Sequence, residues 1–189
     1  MKKLLFILLS AIITLPIYAQ QASFKENLKA AESGDNRAMY NLGIMYHEGV
    51  GVSKDYSKAI DWFNKAATKG HGGAMYNLGY MYFYGEGVSK DYSKAANWYE
   101  KAAEKGEVNA MYNLGLMYYE SGDIPTDYSK AKYWFEKAVE KEHAGAMREL
   151  GDMYYFGDGV PENDTKAKYW YKQSCNAGNK DACKDLADM

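Results

Sequence analysis

The chain holds few of the residues from which catalytic and metal sites are built. Among 189 residues there are three histidines, two cysteines and three prolines. No Ser/His/Asp or Cys/His triad can be assembled, and no glycine-rich phosphate loop joins a strand to a helix. Basic residues form no block, and the formal net charge is −2. That excludes the clustered basic face on which nucleic-acid binding depends. Beyond the first residues, no apolar run approaches the roughly 20 needed to span a bilayer. No enzyme activity, cofactor, metal site, nucleic-acid partner or membrane span is expected.

What is present begins with Met1-Lys2-Lys3, followed by an apolar run from Leu4 to Tyr18 and then Ala19-Gln20. A basic start, a short apolar stretch and a small residue describe a cleaved signal peptide over residues 1–19. No cysteine follows the apolar run, so a lipid anchor is not expected. Loss of Lys2 and Lys3 leaves 21 basic and 25 acidic side chains, a mature net of −4. The mature chain is expected in the periplasm or outside the cell, as a monomer. In that setting the close pair Cys175 and Cys183 favours a disulfide.

The block Ala-Met-Tyr-Asn-Leu-Gly stands at 38–43, 74–79 and 110–115, and returns in altered form at 146–151 and 182–187. Trp62, Trp98, Trp134 and Trp170 keep the same 36-residue step. A fixed period of this size marks a solenoid of stacked units. In the second unit, Ala74, Leu78, Met81 and Tyr82 form one apolar helix face. Glycines near Gly85 and Gly87 end this first helix, Asp91 caps a second, and Ala95, Trp98, Tyr99 and Ala102 form the second stripe. The pair is termed helix A and helix B. Gly43, Gly79, Gly115 and Gly151 sit mid-helix, where glycine costs about 1 kcal/mol against alanine. They are expected to let helix B approach through its small residues Ala59, Ala95, Ala131 and Ala167. The methionines recur in two columns and are expected to fill the core.

The domain organisation expected is a leader at 1–19 and one repeat domain at 20–189. The latter comprises a half repeat at 22–35, four repeats over about 36–179, and a terminal half repeat at 180–189. The A-x-Y-N-L-G block, the paired-glycine turn and the run Lys54–Ala67, repeated at Lys90–Ala103, resemble the Sel1-like repeat family, relatives of the tetratricopeptide repeats. The resemblance implies an all-α, right-handed α-solenoid acting as an adaptor or binding platform. The third repeat departs from it in the turn Glu120–Pro125, and in the fourth Asn163 replaces the capping Asp.

In tetratricopeptide-like stacking, helix A lines the concave side. A protein-binding groove is therefore expected from Tyr40, Tyr76, Tyr80, Phe83, Tyr112, Leu116, Tyr119, Arg148 and Tyr155, with Ile44, His47, Tyr84, Asp152 and Phe156 beside them. Aromatic rings and arginine dominate binding hot spots. The competing reading packs many of these rings against the neighbouring repeat. His47, His71 and His143 are expected to be isolated surface histidines. The partner is another protein or peptide, with adaptor and inhibitor or immunity roles both open. An alternative arises because cysteine-rich Sel1-like proteins resemble this chain in their C-x7-C spacing. It is a weak β-lactam-binding or β-lactamase-like protein using Ser129 of Ser129-Lys130-Ala131-Lys132. The Ser-Asp-Asn and Lys-Thr-Gly segments that accompany that motif are missing.

Overall fold

A computed structural model describes residues 19–120 and 124–189. The expected leader, save Ala19, and residues 121–123 of the divergent third turn lie outside the described residues. Ten helices occur among the described residues: α1 (19–32), α2 (Asn36–Glu48), α3 (Tyr56–Thr68), α4 (Gly72–Tyr84), α5 (Tyr92–Glu104), α6 (Val108–Glu120), α7 (Tyr128–Val139), α8 (Ala144–Phe156), α9 (Asp164–Asn176) and α10 (Lys180–Ala187). Even-numbered helices are A helices and odd-numbered ones B helices. They fall into two compact units, Met1–Asp91 and Tyr92–Met189.

Each helix starts and stops for a local reason. Asp55, Asp127 and Asn163 cap α3, α7 and α9, their side chains accepting from the backbone N–H three residues on at 2.9–3.0 Å. Asn163 thus does the work of the aspartates it replaces. Gly49, Gly85 and Gly157 end α2, α4 and α8 at φ of 76–77°, a left-handed conformation in which a side chain would be strained.

In the first unit, α2 packs on α3, and α4 packs on both. Leu42, Phe63 and Leu78 are fully enclosed, and Met45 and Met81 are buried beside them. In the second unit, neighbouring helices pack in chain order from α5 to α10, around Tyr99, Leu114, Phe135, Leu150 and Met153. Met39, Met75, Met111, Met117 and Met153 are buried, as core filling requires, while Met147 is half-buried. The tryptophans lie at the edge of the core: all four are half-buried, with Lys65 over Trp62 at 3.8 Å and Lys101 over Trp98 at 4.5 Å.

The mid-helix glycines face rings, not the alanines expected from the sequence. A Cβ on Gly43 would lie 2.3 Å from Phe63, one on Gly115 2.3 Å from Phe135, and one on Gly151 2.6 Å from Tyr171. The alanines Ala59, Ala131 and Ala167 are buried one turn earlier on helix B. The aromatic face fills the notch that the glycine leaves, and this close packing offsets the propensity cost of glycine in a helix. At the far end, Cys175 of α9 and Cys183 of α10 form a disulfide.

Candidate functional site

The expected groove residues all lie on A helices, but the structure sorts them into held rings and open ones. In the first unit, Tyr40 of α2 stacks on His71 at 4.3 Å and leans on Phe63 at 6.0 Å. Tyr80 packs on Tyr84 at 4.4 Å, and Phe83 on Tyr84 at 5.0 Å. Burial pushes the Tyr80 phenol up, helped by Glu86. Tyr84 itself is 51% exposed. Ile44, Tyr76, Tyr80 and Met81 line a cavity of about 240 Å³ with His47, Glu48 and Asn77. The Asn77 amide nitrogen is buried there without a hydrogen-bond partner. His47 is held between Glu48 and Glu86, each 2.6 Å from a ring nitrogen.

The second unit is more polar. Tyr112 of α6 packs on His143 at 4.4 Å and Phe135 at 6.1 Å, and its hydroxyl donates to Glu149 at 3.3 Å. Tyr119 meets Tyr128 and Phe135 edge-on and donates to Asp158 at 2.5 Å. Burial raises both phenols, with carboxylates adding to it; Tyr112 is pushed up to about 12. Leu116 is half-buried. On α8, Arg148 donates to Asp185 of α10 at 2.6 Å and reaches Asp152 at 3.7 Å. Asp152 also accepts from Tyr171 at 2.6 Å. Burial raises the carboxyls of Asp152 and Glu149; Glu149, buried beside the Asp152 charge, is pushed up to about 7. Tyr155 and Phe156, packed edge-on at 4.9 Å, are 44% and 61% exposed. The rings Tyr40, Tyr112 and Tyr119 are therefore held half-buried, while Tyr84, Tyr155 and Phe156 stand open.

His71 and His143, read from the sequence as isolated surface residues, are helix caps. Their Nδ1 atoms accept from the N–H of Ala74 at 3.3 Å and of Ala146 at 3.1 Å. Accepting requires an unprotonated Nδ1, and burial lowers the pKa of His143. Each ring is sandwiched by a tyrosine, and Gly73 and Gly145 lie where a Cβ would crowd that sandwich, at 3.3 Å and 3.0 Å from the histidine Cε1. The signal was in the sequence: a glycine stands two residues after the cap only where the cap is histidine. Asp185 was also missed. It occupies the register position of Asn41, Asn77, Asn113 and Glu149, a column that changes from amide to acid.

Ser129 is exposed on α7, and the Lys132 ammonium is engaged by Glu136 at 2.5 Å. Among the described residues, no three His, Cys, Asp or Glu side chains gather so as to hold a metal ion. No helix among them is long and apolar enough to cross a membrane.

The Sel1 repeat family model matches residues 36–71, 73–107, 108–143 and 144–179. The chain is 38% identical, with a TM-score of 0.84, to c5321, a protective antigen of uropathogenic Escherichia coli with an SLR fold. That match covers 88% of this chain and only 36% of c5321. It is likewise 38% identical, at a TM-score of 0.81, to a Sel1 repeat protein from Oxalobacter formigenes, covering 89% of this chain and 69% of that one. The immunity protein Pa5087 of Pseudomonas aeruginosa shares 28% identity at a TM-score of 0.53, over 84% of this chain and 59% of its own. The expected fold class, an all-α solenoid of Sel1-like repeats, holds. Such repeats are generally non-catalytic scaffolds for protein interaction. With its repeating helix pairs and a family match across four consecutive repeats, the chain belongs to the Sel1 repeat family.

Proposed function

We infer that the mature chain is an exported, non-catalytic module that captures a segment or domain of another protein on its A-helix faces. The observation that carries this reading is the exposure of Tyr84, Tyr155 and Phe156 at 51%, 44% and 61%. Their helices already bury Leu78 and Leu150, Met81 and Met153, so the core does not need these rings. Exposed rings on a preformed helical face bind at low ordering cost. In the first unit Tyr40 shapes the floor and Tyr76, Tyr80 and Phe83 offer contact; in the second Tyr112 and Tyr119 shape the floor and Leu116, Arg148 and Tyr155 offer contact. An inhibitor or immunity role and an adaptor role both use such a face; the likeness to Pa5087 supports the first. Export rests on the leader at 1–19 and is supported by the disulfide.

The test is affinity capture from periplasmic extract with residues 20–189 as bait, beside the double variant Tyr155→Ser/Phe156→Ser. The wild type should retain a specific protein that the variant loses at unchanged helicity. Equal retention by both counts against the A-helix face as the binding surface. Nitrocefin should not be turned over; turnover abolished by Ser129→Ala would overturn the non-catalytic reading.

A further inference from the structure

We propose that the cavity between the end of α8 and α10 is a subsite for one basic side chain, an arginine or lysine, of the bound protein. This rests on the binding reading above and names the chemistry at one place on that face. The cavity holds about 220 Å³, below the roughly 300 Å³ at which drug-sized sites begin, so it suits a single side chain.

Its walls are of two kinds. Tyr155 and Phe156 form an exposed aromatic corner, rings edge-on at 4.9 Å. A cation over such rings is drawn to the negative π face. Arg148 and Asp152 stand on the same helix α8, and Asp185 of α10 and its C-cap Asp188 complete the lining with Tyr171 and Met189. Three carboxylates against one guanidinium leave two negative charges uncompensated. Arg148 fixes Asp185 at 2.6 Å, and the Tyr171 hydroxyl fixes Asp152 at 2.6 Å. Among the described residues the side chain of Asp188 has no partner, and it is exposed. The fixed acids set the field, and Asp188 is free to close on an incoming cation.

The first three repeats supply an internal control. At the register position of Arg148 they carry Tyr40, Tyr76 and Tyr112; at that of Asp152 they carry Ile44, Tyr80 and Leu116. The same helix therefore forms without charges there. In the fourth repeat those charges are partly buried, which costs stability. The Arg148–Asp185 pair ties α8 to α10, and the further carboxylates gathered beside it exceed what that one tie uses.

The experiment is a two-dimensional amide NMR titration of the mature chain with N-acetyl-arginine amide and N-acetyl-lysine amide, with N-acetyl-glutamate amide as control. Saturable shifts should appear in 152–157 and 184–189 for the cations alone. Asp188→Asn and Phe156→Ala, both at exposed positions, should each weaken binding about fivefold, and together more than tenfold, with helicity unchanged. Absence of saturation, equal shifts with the glutamate derivative, or binding indifferent to both variants would overturn the proposal. If no arginine binding occurs yet protein capture survives, the subsite falls and the wider reading stands. If arginine amide saturates but no protein is captured, the subsite is supported and the wider reading suffers.

Discussion

Replacing Glu149 by glutamine should make the protein more stable at neutral and alkaline pH, not less. Glu149 is only 8% exposed on α8. Its carboxyl is pushed up from 4.5 to about 7, first by burial and then by the Asp152 charge, against the opposing pull of Arg148 and the Tyr112 hydrogen bond. The folded state therefore holds this proton more tightly than the unfolded chain. Its contribution is fully present below about pH 4.5 and is lost as pH rises through 7. At roughly 1.4 kcal/mol per pH unit, the folded protein gives up on the order of 3 kcal/mol across that window. Glutamine keeps an oxygen for the Tyr112 hydroxyl and carries no charge. The variant should match the wild type near pH 4 and exceed it by up to about 3 kcal/mol at pH 8. For a chain of this size that is on the order of 5–10 °C in Tm. His143 acts in the opposite sense, because burial lowers its pKa and its contribution is lost as pH falls below 6.5. It is common to both proteins and cancels in the difference. Thermal melts followed by circular dichroism, from pH 4 to 8.5, measure that difference directly. A variant that melts at or below the wild type at pH 8, or a gap that does not change with pH, would refute the reasoning.

Two further outcomes follow from the packing. Gly115→Ala places a methyl group 2.3 Å from the fully enclosed Phe135 ring, so overpacking of about 1–3 kcal/mol should outweigh the roughly 1 kcal/mol gain in helix propensity. Urea midpoints should fall, and Phe135→Leu in the same chain should recover part of the loss. The Cys175–Cys183 bond closes a loop of about nine residues, worth about 2–3 kcal/mol in the chain-entropy model. Cys183→Ser should speed hydrogen exchange in α10 before any other helix, and exported wild-type protein should show no free thiol when denatured.

The helices and their caps were legible because the 36-residue step repeats the same local signals several times over. Asp before helix B and glycine after helix A act through bonds three or four residues long, so position alone predicts them. The disulfide was legible because its two cysteines stand close together in a chain whose start reads as an export leader. The partner of the mid-helix glycines was not. A missing side chain announces a close approach but not its direction, and the notch is filled by Phe63, Phe135 and Tyr171, not by the alanines beside them. The candidate face was legible as a row of positions, not as a set of free rings. Tyr112 and Tyr119 find Glu149 and Asp158, 37 and 39 residues away, and pairings at that range leave no local trace. The histidine caps were missed because histidine is an uncommon N-cap.

The contact between glycine and ring bears on how such a protein changes length. Gly43 meets Phe63, Gly115 meets Phe135 and Gly151 meets Tyr171, each pair twenty positions apart and inside a single repeat. Notch and filler therefore travel on the same stretch of coding sequence. Duplicating or losing one whole repeat copies or removes both halves together, leaving no orphaned ring and no empty notch. A length change that is not a whole step would strand one half. Expansion and contraction of the array in whole steps is thereby tolerated, while the small change of glycine to any other residue is not.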